Sequence, residues 1–177
     1  MKAFIVTIAT IILMTNIWLI TNDLQQLKRH NEELRYVAEQ ASVTGSLYLD
    51  QRAYGIGYLR FDDDQSVIAI KDIVCSNMRL DDIQMPKQDS YWQDTVVIDV
   101  SLFDDESCRV YRNGTLIQEF VFDYPYLYTD LQSGFSQAIT QPTVCVTVDA
   151  GTRPIGGGLF QLAPSLKRSA AHELVGR

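Results

Sequence analysis

Two histidines, three cysteines and the scattered carboxylates are where acid–base, nucleophilic or metal chemistry would be sought first in this chain. His172-Glu173 lacks the second histidine of H-E-x-x-H, so a zincin is excluded. A Ser-His-Asp triad would need His30, beside a long apolar run, or His172, near the C-terminus, and no G-x-S-x-G elbow supports either. Cys108 and Cys145 fall in predicted strands, where a buried structural thiol is commoner than a nucleophile. With Cys75 they are too few and too widely spaced for a metal knuckle. One disulfide with one thiol left over is compatible only with an oxidising compartment, and the pairing stays open. Asp62-Asp63-Asp64 lacks the alternating ligand spacing of a calcium loop and reads as the acidic start of a helix. Gly156-Gly157-Gly158 is not followed by G-K-S/T and reads as a flexible connection. No pair of carboxylates stands out. These residues point away from an enzyme, and no catalytic group, cofactor or metal is expected.

The elements that would position any chemistry are easier to read. Ala3 to Thr21 is a run of 19 residues without a charge, and as a helix it spans about 28 Å, close to a bilayer's hydrocarbon thickness. A cleaved signal peptide would have a shorter apolar core and a small-residue cleavage site; this run ends in Thr21-Asn22-Asp23-Leu24 with no A-x-A. A retained single-pass anchor in the cell membrane is the expectation. Lys2 on one side and Lys28, Arg29 and Arg35 on the other leave the positive-inside count nearly balanced, so orientation is open. An acidic, aromatic-rich head with Asn113-Gly114-Thr115 is compatible with an extracellular placement. Residues 1–45 hold four basic and four acidic side chains, so the net charge of -7 belongs to the remainder. A head of that sign should be repelled by nucleic acid and by anionic lipid.

Steps of three and four from Ile17 give Ile17, Ile20, Leu24, Leu27, Asn31, Leu34, Ala38, Ala41 and Gly45, a heptad seam that leaves the apolar run without losing phase. Ile17 to Asn31, with Asn31 fixing register, reads as an assembly interface, with Leu34 a candidate at its end. Leu34 to Gly45, small from Ala38 on, reads most simply as the face lying on the protein's own sheet, where small residues permit close approach. Gly45-Ser46 is the natural stop. His30 is one position off the seam and reads as a solvated side chain without a role.

Beyond the stalk (1–45), residues 46–150 form one predicted α+β head: a long N-terminal helix, transmembrane then amphipathic, packed on a small antiparallel sheet with one further helix. Leu47 to Phe61 reads as one short strand or two with a bend, and 65–79 as an amphipathic helix. A loop over 81–95 is followed by strands at 96–103, 108–112 and 115–122. Asn113-Gly114 predicts a two-residue type I′ hairpin between the last two, completing a meander. Asp123 to Gln141 shows no clean period; Tyr124, Tyr126 and Tyr128 there are a candidate contact surface, although the rings would equally cover the sheet. Pro142 introduces a last strand, 143–149, and residues 151–177 read as a Gly-rich linker and tail, with Leu166 to Arg177 either a short strand or an ordered tail.

Residues 1 to about 50, in particular Ala38-Glu39, Ala41 and Gly45, together with the acid-started helix ending at Asn77, resemble the TadE-like minor pilins and pseudopilins of Gram-positive tight-adherence pili. The resemblance implies a structural subunit of a pilus or secretion apparatus, with other pilin-like subunits or secretion-apparatus proteins and the lipid bilayer as partners. It implies a leader cleavage between Ala3 and Phe4. The family's glutamate at the fifth mature position would fall on Ile8, so the resemblance favours a minor or priming component over a body subunit.

Overall fold

The computed structural model describes residues 2–88, 90–153 and 163–174. Its elements are helices α1 (Lys2–Ser46), α2 (Gln51–Gly55) and α3 (Asp63–Met78), then strands β1 (Val97–Phe103), β2 (Ser107–Arg112), β3 (Thr115–Val121), β4 (Tyr126–Asp130), β5 (Phe135–Ile139), β6 (Thr143–Thr152) and β7 (Ser165–Glu173). The fold is α+β. Five antiparallel strands lie in the order β3-β2-β1-β6-β7, and β4-β5 is a separate hairpin.

Strand alternation decides what each face of the sheet meets. Ile98, Val100 and Leu102 of β1 and Val144, Val146 and Val148 of β6 point to one side, where they join Leu34, Val37, Ala38 and Ala41 of α1 and Val67, Ile70 and Val74 of α3 in the main core. Phe103, Cys108 and Cys145 point to the other side and pack with Phe122, Ile139 and the tyrosines of the β4-β5 region. Buried on both faces, β6 is apolar or small nearly throughout.

α1 is one unbroken helix of about 67 Å. Its small residues serve intramolecular packing. A Cβ on Gly45 would sit 2.5 Å from Ile70 Cδ1 and 3.3 Å from Val144 Cγ1, so only glycine lets α1 lie this close to α3 and β6. Ser66 Oγ donates to Gly45 O at 3.0 Å, joining Tyr48 N at 3.4 Å on a carbonyl that has no partner within α1. Asn77 Nδ2 donates to Gln40 Oε1 at 3.0 Å, a second tie between α3 and α1. α3 starts where the aspartates indicated: Asp62 is the N-cap, accepting from Gln65 N at 3.0 Å.

Asn113 and Gly114 both have positive φ, and Arg112 pairs with Thr115, so the β2-β3 turn has the expected two-residue form. Three expectations are corrected. Leu47 to Phe61 is a one-turn helix between the bridged residues Leu49 and Phe61, because Asp50 accepts from Arg52 N and Ala53 N and starts α2. The stretch 123–141 contains the β4-β5 hairpin. The division at 151 gives way as well: β7 pairs with β6 from Thr143↔Glu173 to Thr152↔Ser165, so this stretch completes the head's sheet. Gly156-Gly157-Gly158 lies outside the described residues.

Candidate functional site

The free half of α1 is the largest feature that the head does not use. None of its most apolar window is buried, and Phe4, Ile5, Val6, Ile11, Ile12, Leu13, Met14 and Trp18 all lie open. Such exposure around a whole helix is unfavourable in water, at about 25 cal/mol per Å² of apolar surface, and it is what a lipid-facing helix presents. The polar residues within the run fit the same solvent. Thr7, Thr10, Thr15 and Thr21 each donate a hydroxyl to the carbonyl four residues back at 2.8–3.0 Å, and Asn16 Nδ2 donates to Ile12 O at 2.8 Å. Every hydroxyl and amide side chain between Ala3 and Thr21 therefore has a partner inside its own helix, as hydrocarbon requires. By length and composition, this is a candidate for one membrane span near the N-terminus.

The heptad seam divides at Leu27. Ile17 and Leu24 are exposed and Ile20 is half-exposed, whereas Leu27 packs against the main core and Leu34 is wholly buried in it. Of the two readings of Leu34, the face on the protein's own sheet holds and the interface end does not, because α3 and the sheet already cover it. Asn31 is half-buried, and its Oδ1 has no hydrogen-bond partner. Ala3 and Phe4 lie inside the helix, both exposed.

A stack of rings seats α1 on the head. His30, expected to be solvated, lies with its ring centroid 3.4 Å from that of Tyr91, and Arg153 Cζ is 3.9 Å from the same centroid. Two groups that close to one centroid must occupy opposite faces, so Tyr91 is held between helix and sheet. The Arg153 guanidinium also donates to Tyr91 O, and Trp92, nearly buried, meets both rings edge-on. His30 Nδ1 lies 2.9 Å from Glu33 Oε2. The sequence signal for this lock was the Tyr91-Trp92 pair in an otherwise polar loop.

Beside the lock, Leu24, Leu27, Lys28, Asn31, Glu32 and Arg35 of α1 and Arg168 of β7 line an open groove of about 390 Å³. A larger cleft, about 600 Å³, opens between the second face of the sheet and the β4-β5 hairpin, with Phe103, Cys108, Phe120, Tyr126 and Tyr128 among its walls. Tyr124, Tyr126 and Tyr128 are half-buried, and their rings meet Phe103, Phe120 and Phe122 at 4.9–6.0 Å. Tyr126 and Tyr128 lie on the hairpin's sheet-facing side, and Tyr124, just before β4, packs on Phe122; Leu127 and Thr129 alternate to the exposed side.

Two carboxylates do converge, around Arg109. Its guanidinium pairs with Asp63 at the start of α3 and with Asp104 after β1, and donates to Phe61 O at 3.3 Å. Phe61 N donates to Asp104 Oδ1 at 2.8 Å, and Tyr124 donates its hydroxyl to Asp104 O at 2.7 Å. Burial pushes Asp104 up to about 6, against the lowering effect of the Phe61 N–H and Arg109. Burial, followed by the Asp63 charge, pushes Tyr111 up to about 12. With the Arg109 and Asp104 side chains nearly sealed from solvent, the cluster ties the start of α3 to β2. His172 shares the helix-side face of the sheet with its register partner Val144, whereas Cys108 and Cys145 face the other way, so it cannot serve either thiol as a base. All three cysteines are free, and no cluster of metal-ligating side chains occurs among the described residues.

No protein-family model, no curated protein and no solved structure matches this chain.

Proposed function

We propose that the chain is a membrane-anchored, pilin-like structural subunit, acting without catalysis by packing the free half of its N-terminal helix into the bilayer and against neighbouring subunits, with the head outside the cell. The observation that carries this reading is the continuity of α1: one helix is buried in the head along its second half and apolar, uncovered and internally hydrogen-bonded along its first. A passive tether needs no fixed rotation relative to its head. Here the seat formed by Gly45, Leu34 and the Tyr91 stack holds the helix in one orientation, which gives Ile17, Ile20 and Leu24 a defined direction. Leu27 and Asn31, flanked by the chain's own β7, mark the upper limit of that surface.

Single cysteines at Ile17, Ile20 and Leu24, placed in a background without the native thiols, should cross-link in intact membranes to other pilin-like or secretion-apparatus proteins. Neighbouring off-seam positions Trp18 and Leu19 should not. Membrane-bound protein with no adduct at any position would refute assembly through this face.

A second reading, an anchored binding domain, is favoured by the cleft beneath the β4-β5 hairpin. It requires that Tyr126→Ala and Tyr128→Ala abolish ligand capture while seam cross-links persist.

A further inference from the structure

The groove between α1 and β7 combines three features that point to one ligand. Its floor is apolar, formed by Leu24 and Leu27; its rim carries Lys28, Arg35 and Arg168 against the single acid Glu32. The head around it is acidic overall, with 11 basic and 18 acidic residues after position 45, so this local excess of positive charge runs against the charge of the whole. The cations are also available. Lys28 is exposed and in no ion pair among the described residues, and Arg168 has only a donation from Nη1 to Lys167 O, at 2.8 Å. Arg35 pairs with Glu39 at 2.8 Å in a solvent-exposed contact, of a kind that costs little to exchange.

The third feature is depth. Leu24 follows the last residue of the uncharged run, Thr21, by about 4.5 Å of helix rise, and Lys28 by about 10 Å. A bilayer's headgroup layer extends roughly 5–7 Å beyond its hydrocarbon on each side, and long basic side chains reach several ångströms toward it. The lower end of the groove thus lies at headgroup level when α1 spans the membrane.

We propose that this groove binds the headgroup of an anionic phospholipid, its phosphate held from above by the long side chains of Lys28 and Arg168 and its glycerol end against Leu24. This rests on the anchor reading above. Free phosphate would gain nothing from the apolar floor.

The test uses the full chain in an uncharged maltoside detergent, with lipid adducts counted by native mass spectrometry. The probes are phosphatidylglycerol, phosphatidylcholine and inorganic phosphate. Phosphatidylglycerol should bind at least tenfold more tightly than phosphatidylcholine, and inorganic phosphate should not displace it. Each basic side chain removed should weaken phosphatidylglycerol about fivefold, so Lys28→Gln gives about fivefold and Lys28→Gln with Arg168→Gln about 25-fold. Lys87→Gln, a cation outside the groove, should change nothing. Because Lys28 is exposed, its single variant keeps the test valid if the Arg168 substitution impairs folding. Equal binding of the two lipids, displacement by phosphate, or unchanged affinity in Lys28→Gln would overturn the proposal. Carbonate extraction of membranes from expressing cells judges the anchor separately: release of the chain would sink that reading, whatever the adducts show.

Discussion

Replacing Gly45 by alanine sets two effects of opposite sign against each other. Alanine is favoured over glycine within a helix by about 1 kcal/mol, and by less near the last turn, so local propensity alone makes the substitution stabilising. The tertiary structure opposes it. The new methyl would lie 2.5 Å from Ile70 Cδ1 and 2.8 Å from Ile70 Cγ1, with Val144 Cγ1 at 3.3 Å. Ile70 is wholly buried between α1 and the sheet, and Val144 is fixed on a central strand, so neither can swing into solvent. Overpacking of this kind costs about 1–3 kcal/mol, and the net expectation for Gly45→Ala is a loss of about 1–2 kcal/mol. The assay is urea unfolding of the full chain in detergent, in a Trp18→Phe background so that buried Trp92 alone reports. Ile70→Ala by itself should cost about 2–5 kcal/mol through the cavity it leaves. In the double variant the alanine methyl enters that cavity, so the two losses should fall short of additive by about 1 kcal/mol or more. Strict additivity, or a Gly45→Ala chain more stable than the parent, would refute the close seating of α1 on α3 and with it the fixed rotation on which the assembly surface depends.

Two further expectations concern the head. Asp104 has its carboxyl raised to about 6 in the folded state from an ordinary value of 3.8, so the stability it contributes is fully present below about 3.8 and is lost as pH rises through 6. Its share should make the head about 1 kcal/mol more stable at pH 5 than at pH 7, and urea titrations of Asp104→Asn should lack that component; an unchanged difference in the variant would contradict the assignment. Burial raises the thiol of half-buried Cys75 as well, but it pushes fully buried Cys108 up to about 12 and Cys145 well above the usual thiol range. A thiol reagent at pH 8 should therefore modify only Cys75 in the folded chain, and Cys75→Ser should leave it unlabelled until denatured.

Much of the architecture was legible because local physics specifies it. The uncharged run and the three-four spacing from Ile17 delimit α1 to within a residue at its C-terminal end; Asp62 and the two acids after it start α3; Asn113-Gly114 sets a two-residue turn whatever lies around it. The β4-β5 hairpin escaped because exposed Leu127 sits between Tyr126 and Tyr128 and blurs the alternation, which becomes aromatic-in only once the second face of the sheet exists to cover. β7 was legible only as one of two readings, a short strand or an ordered tail from Leu166. The choice between them falls to tertiary structure, where β6 offers Lys167 and Arg168 a register and Asp130 lies 3.4 Å from Lys167 Nζ.

The sequence by itself determined the apolar span, the helix that continues it and the strands of the meander, since each follows from hydropathy, capping or turn dihedrals within a few residues. Tertiary structure alone decided which half of the seam remained free, where Arg109 found its two carboxylates, how Tyr91 came to lie between His30 and Arg153, and that Arg168 would meet Lys28 across a groove. Those outcomes depend on groups far apart in the chain, brought together by packing two faces of one sheet. No local pattern encodes a contact whose value comes from excluding water between residues that are distant in sequence.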